Sequence, residues 1–119
     1  MRASSDLGLM MPEIHLFHSR RKFERFCRRK FDHTPRDFGS QGQMTYYDGT
    51  VAVLMTHVGK DATELALLVH ESWHAASEHM RYLGEDDPGE EVMAYLIQSI
   101  AHALFVAHHE WKREKGLVD

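Results

Sequence analysis

Two histidines four positions apart, His70 and His74, bracket Glu71 in the run His70-Glu71-Ser72-Trp73-His74. If the run is helical, both imidazoles lie on one face, about 6 Å apart along the axis. One tetrahedral Zn²⁺ ion can then be reached by both at about 2.0–2.1 Å. Glu71, next to both, is placed to take a proton from water activated by that ion, which is the arrangement zinc-assisted hydrolysis requires. The chain has ten histidines and ten glutamates among its 119 residues. A chance match then has a probability of roughly 7%, so the neighbourhood matters as much as the pentapeptide. Leu65, Leu67, Leu68 and Val69 precede it and predict a buried helix. Polar side chains entering such a setting need partners, and an ion supplies one.

A catalytic zinc site takes three protein ligands. Glu78 shares the stripe of His70 and His74 but lies about 12 Å from His70 along the helix. His79 points away from that stripe. Ser77 and Met80 stand where a third-histidine pattern would place glycine and histidine. The next helix offers Glu90 and Glu91. Glu90 is expected to serve the start of that helix as partner of Asp87, whereas Glu91 has no such task and is the preferred third ligand. Glu91, Tyr95, Gln98 and His102 form a polar stripe on an otherwise apolar helix, expected either to face solvent or to line the metal cleft. His102 lies about 16 Å from Glu91 along the helix and cannot share an ion with it.

These residues depend on a sequence of elements. Ile14 to Phe17 reads as a short strand. Ser19 caps a helix running to about Phe31, with Phe23, Phe26, Cys27 and Phe31 at helical spacing. His33 to Pro35, Gly39 and Gly42 mark a loop. Met44–Tyr47 and Thr50–His57 form a hairpin around Asp48-Gly49, the pair favoured in a type I′ turn. Asp61 is expected to cap a helix with Glu64 as its capping-box partner, ending at Gly84. Asp87, with Pro88 and Glu90, starts a last helix that runs to about Lys115 and stops at Gly116. The fold class is α+β: strand, helix, hairpin, then two antiparallel helices. Residues 1–12 are a loose lead-in, and 13–119 form one domain.

The chain is 43% hydrophobic and 27% charged, with a net charge of −4. Residues 20 to 36 hold eight of its fourteen basic side chains, so the remainder is acidic. Cys27 is the only cysteine, which rules out an intrachain disulfide and fits a reducing, cytoplasmic setting. No apolar run approaches the length of about 20 residues that spans a bilayer, so no membrane partner is expected. The basic helix 20–30 reads first as a solvated amphipathic face, with a nucleic-acid partner as the lesser expectation. Cys27 and Trp73 are expected to pack, and His108, His109 and Trp111 to lie on the surface.

The motif, the gap of under twenty residues and the following Gly89-Glu90-Glu91-Val92-Met93-Ala94-Tyr95-Leu96-Ile97-Gln98 resemble the gluzincin branch of the zincin metallopeptidases. The pattern is most similar to short zincin-like proteins of phages and prophages, in which Glu91, Ala94, Tyr95, Ile97 and Gln98 would occupy motif positions. The resemblance covers roughly residues 60 to 105. It implies a minimal zincin-like domain with one Zn²⁺ held by His70, His74 and Glu91, Glu71 as acid or base, and a hairpin strand beside the cleft to pair with an extended peptide. Larger members have a second subdomain that supplies an oxyanion donor. Here the candidates are Tyr46, Tyr47, Tyr95 and His102. The expected function is zinc-dependent hydrolysis of a peptide or protein. The alternatives are a catalytically silent zinc-binding protein acting as a phage or prophage binding or inhibitory factor, and a helical binding module with a chance motif.

Overall fold

The computed structural model describes residues 2–3, 11–56, 58–85, 87 and 89–117. The described residues form an α+β structure: β1 (Arg2–Ala3), β2 (Glu13–Phe17), α1 (Arg20–Phe31), β3 (Gly42–Tyr47), β4 (Thr50–Met55), α2 (Asp61–Tyr82) and α3 (Glu90–Glu114). The strand order is β1-β2-β4-β3. β2 runs parallel to β4 and is joined to the hairpin through α1, whereas β3 is antiparallel to β4. Arg2 and Ala3, expected within a loose lead-in, pair instead with His15 and Ile14.

The hairpin forms at the expected turn. Asp48 and Gly49 both take positive φ, 49° and 81°, which a type I′ turn needs. All six residues of β4 are buried, because the central strand is covered on both faces. Its side chains alternate between them. Ala52 and Leu54 meet Phe23, Cys27 and Phe31 of α1. Val51, Val53 and Met55 meet Leu68, Ala75, Met80, Leu96, Ile100 and Leu104 of α2 and α3. The molecule is thus three layers deep, with α1 on one side of the sheet and the α2–α3 pair on the other.

Two helix starts differ from expectation. Lys60, without a side-chain cap bond, precedes α2, and Asp61 is its first helical residue. Gly89 precedes α3, so Asp87 does not cap it. Pro88 and His57, assigned to that helix start and to the end of the second hairpin strand, lie outside the described residues. β3 also begins at Gly42, within the expected loop.

Glu64 departs furthest from its expected role. It accepts the Gly59 backbone N–H at 3.1 Å, but its carboxylate is 1% exposed and receives Lys112 Nζ of α3 at 2.7 Å. His108 Nε2 approaches the other oxygen at 3.2 Å, off the line of a good hydrogen bond. His108 Nδ1 hydrogen-bonds His18 Nε2 at 2.8 Å, and the His18 ring stacks on Trp111 at 3.7 Å. His108, expected on the surface, is 1% exposed. Burial alone would raise the Glu64 carboxyl, but Lys112, the Gly59 amide and His108 outweigh it and hold the group below its usual range. This cluster fixes the register of α2 against α3, with Glu64 level with His108 and Lys112.

Candidate metal site

β3 and α2 run side by side in the same direction. Gly42 sits over Glu71, Tyr46 hydrogen-bonds His79, and Gly49 meets the Tyr82 ring. Four strand residues at about 3.4 Å and eight helix residues at about 1.5 Å cover nearly equal lengths, which lets the two elements stay in step. Glu71 is 6% exposed. A Cβ on Gly42 would stand only 3.2 Å from Glu71 Oε2, so the missing side chain is what admits the carboxylate beneath the start of β3. Burial pushes the Glu71 carboxyl up, and the fields of His70 and His74 partly offset it.

His70 and His74 lie one turn apart on the solvent side of this junction, His70 exposed and His74 half-buried. Their Nε2 atoms are 3.3 Å apart and the rings are nearly perpendicular, at 77°. Two nitrogens at 2.0–2.1 Å from one tetrahedral ion stand about 3.3–3.4 Å apart, so the pair already has the span of a chelate. The same separation is within reach of a direct N–H···N hydrogen bond. The same chain shows such a bond between His18 and His108, at 2.8 Å with the rings stacked at 22°. The chemistry and spacing of the pair therefore fit Zn²⁺.

The other expected site residues lie elsewhere. Glu91 is exposed in the first turn of α3. Leu65 and Val69 border the groove shared with α3, together with Gln98 and His102. His70 is one residue, about 100°, further round the helix from Val69. Among the described residues no third His, Cys, Asp or Glu side chain stands with His70 and His74. Glu90 is likewise exposed at the start of α3. Tyr95 is 60% exposed on α3. In the polar stripe from Glu91 to His102, Glu91 and Tyr95 are exposed, and Gln98 and His102 border the α2–α3 groove. Tyr46 is bound to His79 Nδ1 at 2.6 Å, and burial raises its hydroxyl above the usual range. Tyr47 is exposed at the hairpin turn.

Leu65 and Val69 are 40% and 41% exposed, contrary to the expectation of a wholly buried α2. The apolar run turns around every face of the helix, and only one face meets the sheet. The same rotation exposes Trp73 to 54%, with its ring 5.2 Å from that of His74. Trp73 thus forms a wall beside the pair and is not a packing residue. Its position opposite Glu64 and Leu68 on a helical wheel was the available signal. For Gly42 the sequence offered only a loop marker. Cys27 is buried among phenylalanines, as expected, and burial pushes its thiol up to about 11. Comparison of the chain with protein-family models, curated proteins and solved structures finds no match.

Proposed function

We propose that this chain is a zinc-dependent hydrolase of the peptidase type, built as a minimal zincin-like domain. The observation that carries the reading is the 3.3 Å separation of His70 Nε2 and His74 Nε2, the span of two ligands on one tetrahedral ion. His70 and His74 would hold Zn²⁺, which when bound supplies Lewis-acid polarisation of a carbonyl and lowers the pKa of water. Glu71, the residue between them in sequence, accepts the proton of the attacking water on its carboxylate and returns it to the leaving amine. Gly42 leaves room for that carboxylate, and Trp73 borders the exposed side. β3 is the edge of the sheet and follows α2 past the pair, so an extended peptide adding to it would run alongside His70 and His74.

The test combines metal analysis with cleavage. Purified protein should carry about one zinc per chain and cleave members of a mixed peptide library, with cleavage lost in chelator and restored by zinc. Glu71→Gln should retain the zinc and lose cleavage, and His74→Ala should lose both. Full cleavage by Glu71→Gln would refute the base assignment, and a wild-type protein that takes up no zinc would refute the metal site.

A further inference from the structure

The sequence reads helix 20–30 first as a solvated amphipathic face, without fixing where its charges lie. In the structure they are concentrated. Phe23, Cys27 and Phe31 face the sheet and are buried. Arg21, Lys22, Arg25, Arg28, Arg29 and Lys30 are all exposed. Arg21, Arg25, Arg28 and Arg29 follow the i, i+4, i+7, i+8 spacing of a single helical face, and that face is opposite the buried one. Among the described residues the ion-paired cation of α1 is Arg20, which meets Glu24 and Asp37. Arg20 also donates to Gln43, so it is used in fixing the helix to β3. α1 carries a net +6 against −4 for the whole chain, so everything outside it sums to −10.

We infer that the outer face of α1 is a docking surface for the phosphate backbone of B-form duplex DNA. Four of its six exposed cations are arginines, whose planar fork matches phosphate oxygens. Arg21 to Arg29 spans about 12 Å of helix, and a B-form major groove, about 12 Å wide, admits a helix that presents cations to its walls. A lipid surface fits less well, because an interfacial helix inserts its apolar face, and here that face is committed to Ala52 and Leu54. A single strand fits less well, because it binds on open aromatic platforms. The aromatic rings beside this face, Phe17 and Phe26, are half-buried against each other and His15. The narrow, deep major groove of A-form RNA does not admit the helix. The acidic remainder of the chain repels the same phosphates, so it orients α1 toward the duplex.

The test is fluorescence anisotropy of a labelled 20-base-pair DNA duplex titrated with the full chain, in zinc and in chelator. Four to six phosphate contacts predict a log–log salt slope of about −4 to −5, or a loss of about 10²–10³-fold between 50 and 200 mM salt. Binding should be equal in zinc and chelator, which separates this result from the fate of the metal site. The double variant Arg25→Gln/Arg29→Gln, at exposed positions and checked for an unchanged circular dichroism spectrum, should flatten the slope by about two. The inference is overturned by no binding at 50 mM salt or by a double variant with the parental slope. It is also overturned if the single strand, poly-glutamate or phosphatidylserine vesicles bind as tightly as the duplex.

Discussion

Replacing Lys112 with methionine tests the cluster that sets the α2–α3 register. Lys112 and Glu64 are 4% and 1% exposed and meet at 2.7 Å. Removing one partner of a buried pair costs about 3–5 kcal/mol, because the other charge is left without compensation. Glu64 keeps the Gly59 amide and His108 as neighbours, and the lost contact to Asp61, which is 73% exposed, adds little. The lower end, about 3 kcal/mol at pH 7, is therefore expected. With a urea m-value of about 1.5 kcal/mol/M, the midpoint should fall by about 2 M. The pH dependence gives the sharper check. In the parent, the depressed Glu64 carboxyl contributes stability above its unfolded pKa and loses it as pH falls through the folded value. Without Lys112, burial dominates and raises that carboxyl, so acid protonates the buried group and the penalty shrinks. The stability curves of parent and variant should converge between neutral pH and about pH 4. Glu64→Gln/Lys112→Met should recover much of the loss at pH 7. A deficit below about 1 kcal/mol, or one that stays constant across this pH range, would refute the reasoning.

Three further outcomes are expected. Gly42→Ala would place a methyl group 3.2 Å from Glu71 Oε2; displacing the carboxylate should lower kcat by about tenfold while zinc content holds, and unchanged kcat would remove Gly42 from the site. Glu91→Ala should leave zinc affinity within about twofold, since among the described residues no third acidic or histidine side chain groups with the pair; a loss nearer the 10–100-fold that disruption around a metal site brings would show the first turn of α3 closing on His70 and His74. His18, pushed down to about 4 by burial and by the His108 ring, stays neutral in the fold while the unfolded chain protonates. Stability should therefore fall by up to about 3 kcal/mol as pH drops from about 6.5 to 4. His18→Phe should flatten that part of the urea-midpoint profile, and an unaltered profile would exclude the assignment.

The hairpin, the two long helices and the histidine pair were legible because each rests on a local rule: a turn dipeptide, helical spacing and a four-residue interval. The position of Glu91 was not, because it depends on the axial register of α2 against α3. That register is set by Glu64, His108 and Lys112, of which local patterns assigned Glu64 to a capping box and His108 to the surface. Within the expected lead-in, the pairing of Arg2 and Ala3 with β2 was not legible for a related reason, since it is a long-range contact. The cationic face of α1 was available in the i, i+4, i+7, i+8 spacing of its arginines, but only once the buried face had been located.

The rotation of α2 links these observations. Along one side it turns inward Glu64, Glu71 and His79, seven and eight residues apart, or about two turns each. Glu64 is answered by Lys112 and His108 of α3, and His79 by the Tyr46 hydroxyl of β3. A one-residue slip would turn the helix by about 100° and strand both groups without their partners. Those two contacts therefore lock the azimuth at which His70 and His74 emerge beside the start of β3, with Trp73 on their outer side. Glu71 lies between the locks but is answered differently: it meets a glycine and the field of two imidazoles instead of a fixed cation or hydroxyl. A carboxylate held in place without being neutralised is the arrangement proton transfer needs. The buried ionisable groups of α2 thus divide into two that set geometry and one left available for chemistry, while Ser72 bonds back to the Leu68 carbonyl.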